Sequence, residues 1–329
     1  MTEIDRRPDS DVDGLAPEGA MTGGLMLGGE AAIDSTVAAG LEVKVRSQWA
    51  YARKRFVRHR LAMASLVVLT FFVLVAIFAN QLAPYSYLQF DLTDLLHPPT
   101  TAGHHFFGTD DIGRDYFSGC ILGIRTSLEI GASVALLSTI VGLLVGAAAG
   151  YFGGWIDNLL MRITDLVLTL PALAILLVVA ALLGQGPWWR VTLILAGFFW
   201  TGLSRIVRGL FLSLREKEYV EAAKASGSGN SRIMFRHILP NTLGPIIVNG
   251  TLAVATAILT EAALSFLGFG IKATTPSLGK LVSSGQSAPE AWWLTVFPGV
   301  IIVLIVLCIN FIGDGLRDAL DPTQRRVRA

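Results

Sequence analysis

The sequence predicts an all-α integral membrane protein with six transmembrane helices. Hydrophobic residues make up 53% of its 329 residues and charged residues only 16%, well below the roughly 25% charged usage of soluble domains. A helix needs about 20 predominantly apolar residues to cross the hydrocarbon core of a bilayer. Six windows meet or nearly meet this requirement, at residues 61–82, 126–150, 163–183, 191–212, 243–267 and 292–312.

Two segments of different character precede the first window. Residues 1–43 alternate acidic residues with glycine, and such a composition cannot bury enough apolar surface to fold alone. We therefore expect a disordered acidic tail. Residues 44–60 interleave arginine and lysine with Trp49, Tyr51 and Phe56, a pattern typical of a basic amphipathic helix on an anionic membrane surface.

The distribution of basic residues predicts the orientation of the chain. Arginine and lysine precede the first window, occur between the second and third and between the fourth and fifth, and recur in the tail at 313–329. The positive-inside rule assigns this face to the cytosol, with both termini on it. The connections at 83–125 and 268–291 then face outward, and the core of five further helices spans 126–312.

The fourth window is the weakest of the six because Arg205 and Arg208 interrupt it. A charged side chain costs about 2 to 3 kcal/mol at the centre of a membrane helix even on the lenient insertion scale. We expect both arginines near the cytosolic end, where their long side chains reach the headgroups.

Several classes of chemistry find no support in the sequence. Cys120 and Cys308 are far apart, with no metal-ligand spacing, and are expected to be small apolar side chains. His104 and His105 are adjacent, so they cannot form a helical metal pair. No P-loop, HExxH or GxSxG motif occurs, which argues against a nucleotide site or an embedded enzyme in this chain. No convincing internal repeat favours an autonomous channel or secondary transporter.

The most informative segment is a polar stretch at residues 218–241, EYVEAAKASGSGNSRIMFRHILPN, between the fourth and fifth windows. Gly227 permits a sharp reversal of the chain, and Asn230 or Ser231 can cap a second helix. The pattern predicts two short helices at an angle. Glutamate and alanine also favour any solvated helix, so the EAA tripeptide by itself indicates little.

As a whole, this stretch resembles the EAA loop by which membrane subunits of bacterial ATP-binding cassette (ABC) importers seat their ATPases. From about residue 49 to 322 the chain resembles the C-type permease subunit of the dipeptide, oligopeptide and nickel importers. The strings that carry the resemblance are LAPY at 82–85, GTDDIGRD at 108–115, YFGGWID at 151–157, DLVLTLPAL at 165–173, EAALSFLG at 261–268 and GDGLRDALDP at 313–322. The resemblance implies a type I ABC importer permease fold.

The resemblance also implies how the loop at 213–241 works. Small alanines would allow close approach of an ATPase, Gly227 would set the angle between the helices, and apolar side chains would form a docking face. The residues expected to couple the chain to an ATPase are Glu221, Ala222, Ala223, Gly227, Ile233, Phe235, His237, Ile238 and Pro240.

The implied partners follow the family. They are a homologous second permease subunit, two ABC ATPase subunits that use ATP and Mg²⁺, an external substrate-binding protein and membrane lipid, with no nucleic acid and no cofactor on this chain. The expected location is the bacterial inner membrane. Dipeptides or short oligopeptides are the expected substrate, and nickel or another small solute is the alternative.

Charged residues within or beside the windows carry further expectations. Asp165 is expected to pair with Arg162 one turn away, the alternative being a place in the translocation path. Arg125 and Glu129 are expected to form a local pair.

Two groups of polar residues lie near the outer face. Glu261, with Ser265 one turn later, either lines an outer vestibule or fixes helix packing, and the sequence leaves both readings open. Asp110, Arg114 and Asp115 in the outer connection are expected to help dock the binding protein.

Overall fold

A computed structural model of the protein describes residues 48–101 and 105–321. Over this part of the chain the regular elements are helices, with two isolated bridges, Thr109 to Asp115 and Gly186 to Ile271. The predicted tail at 1–43 lies outside the described residues, as does the end of the chain beyond 321. The helices are α1 Gln48–Arg58, α2 Arg60–Ile77, α3 Ala79–Leu82, α4 Tyr116–Phe152, α5 Gly154–Thr169, α6 Ala172–Leu183, α7 Trp188–Arg215, α8 Glu218–Ala225, α9 Asn230–Phe266, α10 Leu278–Ser284 and α11 Trp293–Leu320.

Five of these helices, α2, α4, α7, α9 and α11, are long and apolar enough to cross a membrane. The sixth candidate is the pair α5 and α6, which bends by 85°. Pro171 begins the second arm of the pair, and proline lacks the N–H and has a ring that obstructs the preceding turn. The window predicted at 163–183 therefore corresponds to a helix broken at Pro171.

Local capping moves several boundaries away from the hydropathy windows. The Asp115 carboxylate accepts a hydrogen bond from the Ser118 N–H at 2.7 Å, so α4 begins at Tyr116 and not at 126. The outer connection predicted at 83–125 is shorter by those ten residues. At the other end of the bundle, α9 begins at Asn230 inside the expected polar loop, and α11 continues to Leu320, beyond the predicted limit at 312.

The tightest packing in the bundle joins α4 to α7. Gly142, Gly146 and Gly150 follow one face of α4 at intervals of four residues. A Cβ atom at 142 would lie 2.8 Å from the Trp200 carbonyl oxygen, and one at 150 would lie 2.6 Å from that of Arg208. One at 146 would collide with the Ser204 carbonyl. The two backbones therefore touch along this glycine seam, which side chains at these positions would force apart.

The other spans pack around this pair through larger side chains. Phe72 of α2 shares a buried apolar cluster with Ile258 of α9 and Ile305 of α11. Outside the spans, α1 lies against the end of α11, where Arg55 donates to the Asp321 carbonyl oxygen at 3.2 Å. One face of α1 is thus packed against protein.

These contacts define two ends of the bundle. One end gathers α1, the last turns of α4, α7 and α11, and the segment from α8 into α9; we call it the loop end. The opposite end holds the start of α4, the connection before it, α10 and the start of α11. There the Trp293 indole N–H donates to the Thr109 carbonyl oxygen at 3.1 Å.

The glycine seam yields a test of the packing. We expect Gly146→Ala to lower the free energy of unfolding by about 1 to 3 kcal/mol, since the new methyl group meets a backbone carbonyl that cannot move aside. The matched control is Gly209→Ala on α7, where an added Cβ meets nothing within 4 Å and helix propensity improves. Thermal unfolding of the purified protein in detergent measures both. Equal midpoints for the two variants would contradict the seam.

Candidate functional site at the loop end

The polar stretch folds as two helices joined by a tight turn. After α8, Gly227 adopts the left-handed conformation with φ +77°. Its N–H donates to the Lys224 carbonyl at 2.9 Å, and the Ser228 N–H donates to the Ala223 carbonyl at 3.1 Å. This pair of bonds is the Schellman motif that ends a helix on glycine. The predicted reversal at Gly227 is thus present and has a defined cause.

Apolar side chains attach the turn to the bundle. Val220, Ile233 and Ile238 are each 0% exposed, and they share a buried cluster with Tyr151 of α4 and Phe211 of α7. Ile233 and Ile238 were expected to form part of an exposed docking face. That expectation is wrong: burial within this chain leaves neither side chain free to touch a partner, and both fix the position of the loop.

Tyr151 links three elements at the same place. Its hydroxyl donates to Asn230 Oδ1 at 2.9 Å, and its carbonyl oxygen accepts from Arg215 Nη1 at 3.0 Å. The last turn of α4 thereby holds both the start of α9 and the end of α7. Sequence analysis did not single out Tyr151, because its partners lie 64 and 79 residues away along the chain.

The first part of α9 is wider than an ordinary α-helix. Residues Ile233–Ile238 form a π-helical segment, and the Leu239 N–H donates to the Met234 carbonyl. The proline at position 240 cannot donate to the carbonyl four residues earlier, so the chain widens before it. This places Pro240 at the junction between the loop and the membrane span.

The surface that remains exposed on the loop is compact. Phe235 is 55% exposed, an unusual amount for an aromatic side chain at the polar end of a bundle. Glu221, Ala222, Gly227 and Pro240 are also exposed, while Ala223 and His237 are half-buried. The surface therefore combines small residues on α8, such as Ala222, with two exposed aromatic rings, Tyr219 on α8 and Phe235 on α9.

Two ion pairs connect the bent pair to α7 just beyond the loop. Arg208 binds Asp157 through two hydrogen bonds, with Nη2 to Oδ2 at 2.6 Å. One turn earlier on α7, Arg205 binds Asp165. The expected pair between Asp165 and Arg162 is wrong, since the partner of Asp165 comes from another helix. The local pair of Arg125 with Glu129 is confirmed, at 2.9 Å.

Glu261 lies at 0% exposure near the other end of α9. Ser265 Oγ donates to one carboxylate oxygen at 2.6 Å, and Ser127 Oγ of α4 lies 3.4 Å from the other. Ser127 also accepts from the Leu278 N–H at the start of α10, at 3.3 Å. Of the two readings of Glu261 and Ser265, this geometry supports helix packing, because a carboxylate closed off from solvent lines no vestibule.

The three outer residues expected to dock a binding protein are mostly inside the fold. Asp110 and Asp115 are 5% and 6% exposed, which contradicts a direct contact with a partner. Asp110 Oδ1 accepts from the Arg114 N–H at 2.8 Å, and burial raises the pKa of this carboxyl. Asp115 accepts from Ser118 as the cap of α4 and binds His105 Nδ1 at 2.8 Å.

Arg114 contributes to the same outer structure. Its guanidinium lies 4.8 Å from the centre of the Tyr87 ring, a distance within the range of cation–π attraction. Burial raises the pKa of the Tyr87 hydroxyl. Among residues 48–101 and 105–321, no group of three or more His, Cys, Asp or Glu side chains is placed to hold a metal ion.

Comparison with known proteins identifies the family. Residues 142–326 match the family of binding-protein-dependent transport system inner membrane components, a match that covers more than half of the chain and includes the segment from α8 into α9. Residues 47–99 match the N-terminal transmembrane domain of oligopeptide transport permease C.

Curated relatives match over most of their length. The dipeptide transport system permease protein DppC of Alkalihalophilus pseudofirmus is 44% identical over 283 residues, 85% of this chain and 91% of the relative. The oligopeptide transport system permease protein OppC of Mycobacterium tuberculosis is 43% identical over 277 residues, 84% and 94% respectively. OppC of Bacillus subtilis is 39% identical over 299 residues, 90% and 96%.

Among solved structures, a chain of the MetNI methionine ABC transporter in inward-facing conformations is 19% identical with a TM-score of 0.49, covering 60% of this chain and 94% of its own. That likeness is too low to carry an argument. The family match and the identity to the relatives are sufficient: this chain belongs to the binding-protein-dependent transport system inner membrane components, and it is a multi-pass, non-catalytic permease subunit of an ABC importer.

Proposed function

We propose that this chain forms half of a translocation path for dipeptides or short oligopeptides and receives mechanical work from ATPase subunits at its loop end. The observation that carries the coupling role is the exposed surface of small residues and Phe235, held on a turn whose apolar side chains are anchored in the bundle. A surface fixed in this way can transmit a displacement to the spans, whereas a mobile loop would absorb it.

The assembly follows from this role. A second, homologous permease completes the path, two ABC ATPases use ATP and Mg²⁺, and an external binding protein delivers the substrate. Nucleotide chemistry belongs to those partners. The partner contacts on this chain are Glu221, Ala222, Gly227, Phe235 and Pro240, with Ala223 and His237 behind them. Ile233 and Ile238 act as anchors beneath the surface.

Orientation in the membrane is supported by charge. The loop end carries most of the basic side chains, including the run in α1 and those in α8 and α9, and the positive-inside rule places such an end in the cytosol. Both termini of a six-span chain then lie in the cytoplasm. The Asp110 to Asp115 turn faces outward and shapes the surface that a binding protein would meet.

Peptides are preferred as substrate because the relatives that match over nine-tenths of their length are named dipeptide and oligopeptide permeases. Import of nickel or another small solute by the same architecture remains the second candidate. ATP-dependent uptake of a labelled tripeptide into vesicles containing the complete transporter tests the choice. Uptake of nickel without uptake of peptide would reverse it.

The turn at Gly227 gives a sharp test of coupling. An added Cβ at either Gly227 or Gly229 meets nothing within 4 Å, but only Gly227 has positive φ. We expect Gly227→Val to reduce peptide uptake severalfold, because left-handed backbone costs a β-branched residue about 1 to 2 kcal/mol. Gly229→Val, at φ −67°, should transport normally. Unchanged uptake by an assembled Gly227→Val transporter would contradict the proposed coupling.

Contact and anchoring can be separated with a second pair of variants. Phe235→Asp should reduce the amount of ATPase that copurifies with this chain while the thermal unfolding midpoint of the permease stays unchanged, since the ring lies outside the core. Ile233→Ala should lower that midpoint, with a loss of about 2 to 5 kcal/mol in stability. If Phe235→Asp copurifies with as much ATPase as the wild type, the ring does not contact the ATPase.

The pair of Asp157 with Arg208 tests whether the bent pair must follow α7. Asp157→Arg places two cations together and should lower the rate of peptide uptake about tenfold or more, because a close ion pair becomes repulsive. Combining it with Arg208→Asp restores opposite charges and should recover much of the rate. Equal rates for the single and double variants, measured with similar amounts of assembled transporter, would mean that the attraction itself does not matter.

A further inference from the structure

A cavity of about 410 Å³ lies among α4, the bent pair, α7 and α9. It extends from Leu170 at the bend to Asn249 and Thr256 on α9, with Phe198 and Phe199 of α7 on one wall. No charged residue is among those that line it within the described part of the chain. The ion pair of Asp165 with Arg205 borders the cavity, two residues before Val167 on α5 and next to Ile206 on α7, and each charge is opposed by the other.

The polar side chains of α9 that reach this cavity form a stripe. Asn249 and Thr256 are seven residues apart, with Ala253 between them, so all three lie on one face of the helix. Thr256 is exposed and Asn249 is half-buried in this chain. Polar groups in a span face other protein or a water-filled path in preference to lipid. The stripe therefore faces the interior of the transporter.

Among the described residues, three of the four hydroxyl groups that line the cavity, all except that of Thr139, donate to a carbonyl of their own helix. Thr256 Oγ1 donates to the Leu252 carbonyl at 3.2 Å, and Thr201 Oγ1 donates to the Phe198 carbonyl at 2.9 Å. Ser138 does the same towards Ala135 at 3.2 Å. A hydroxyl whose only proton is committed to its own helix offers the cavity lone pairs alone.

Asn249 adds an amide to this set. Its Nδ2 donates to the Pro245 carbonyl oxygen at 2.8 Å, which fixes the side chain and leaves the Oδ1 acceptor and the second Nδ2 proton available. Uncharged acceptors placed between aromatic and aliphatic side chains favour a ligand that brings N–H donors and variable apolar groups. The backbone of a short peptide has this chemistry, whatever its side chains.

We propose that this cavity binds translocating peptides through their backbone N–H groups, with Asn249 Oδ1 and Thr256 Oγ1 as the principal acceptors. The inference rests on the proposed function and specifies which atoms of the substrate this half of the path recognises. Recognition of backbone donors makes passage nearly independent of peptide sequence, while a solute without N–H donors finds no compensation for the water it loses.

The test compares trialanine with its depsipeptide analogue, in which ester oxygens replace both amide N–H groups. Uptake of each is measured in vesicles containing the complete transporter with its partner subunits and binding protein. The wild type should favour trialanine. Asn249→Leu and Thr256→Val should each lower trialanine uptake about two- to tenfold, the range that one net hydrogen bond supplies, and should reduce the preference over the depsipeptide.

Comparing the preference between wild type and variant cancels the contribution of the binding protein, which is the same in both. Thr251→Val is the matched control, because Thr251 also donates to the carbonyl four residues earlier, at 2.9 Å, but its methyl group faces Gly313 of α11. Thr256→Ser restores the hydroxyl and should recover the preference for trialanine that Thr256→Val loses. ATPase stimulation by loaded binding protein reports that each variant is assembled.

The outcomes separate the inference from its premise. Assembled Asn249→Leu and Thr256→Val transporters that retain both the wild-type rate and the wild-type preference would overturn the acceptor site. Absence of ATP-dependent trialanine uptake by the wild type would overturn the proposed function itself, and the acceptor site with it.

Discussion

Backbone contact between α4 and α7 is the constraint on which the rest of this permease depends. Gly142, Gly146 and Gly150 bring the two helices together along the half of α4 that leads to the loop end. At the end of this seam Tyr151 and Phe211 belong to the buried cluster that holds Val220, Ile233 and Ile238. The position of the proposed coupling surface is therefore set by how closely two membrane helices approach one another.

This arrangement explains why a small exposed surface is enough for the proposed transmission of a displacement from an ATPase to the spans. The turn at Gly227 is closed by its own backbone hydrogen bonds, and the helices on either side of it are pinned to the seam by buried side chains. The turn and its flanking helices have few internal degrees of freedom, so a displacement of Phe235 would be passed to the spans. The hydrogen bonds of Tyr151 to Asn230 and Arg215 also fix the orientation of α9 and α7 relative to α4, since hydrogen bonds constrain angle as well as distance.

Sequence reasoning recovered what local pattern determines. The hydropathy windows overlap the five long apolar helices and the bent pair, and the glycine at 227 predicted the reversal, because both signals are contained in a few consecutive residues. What it missed depends on contacts between distant segments. Asp165 finds Arg205, 40 residues later, and Ile233 and Ile238 look like an exposed apolar face until α4 and α7 are seen to cover them.

Capping residues and buried carboxylates were also missed by reasoning from local sequence. Asp115 caps α4, which therefore begins ten residues before the hydropathy window. The capping residue is a local signal, but hydropathy composition does not register it. Asp110 and Asp115 are acidic residues in an outer loop, which favours a surface role on average, yet backbone N–H groups and His105 satisfy them inside the fold. Glu261 could be interpreted only once the serines of α4 and α9 were placed around it.

The cavity and the coupling surface share one helix, and this sharing limits how the transporter can work. Phe198, Phe199 and Thr201 of α7 line the cavity, while Phe211 of the same helix seats the loop. Because α7 contacts α4 through its backbone, the two cannot slide without breaking close packing, and we expect them to move as one body. The bent pair is joined to α7 by ion pairs, which swinging side chains can preserve while the helices shift. We therefore expect any change in the shape of the cavity to occur at the bend beside Pro171 while the glycine seam stays closed.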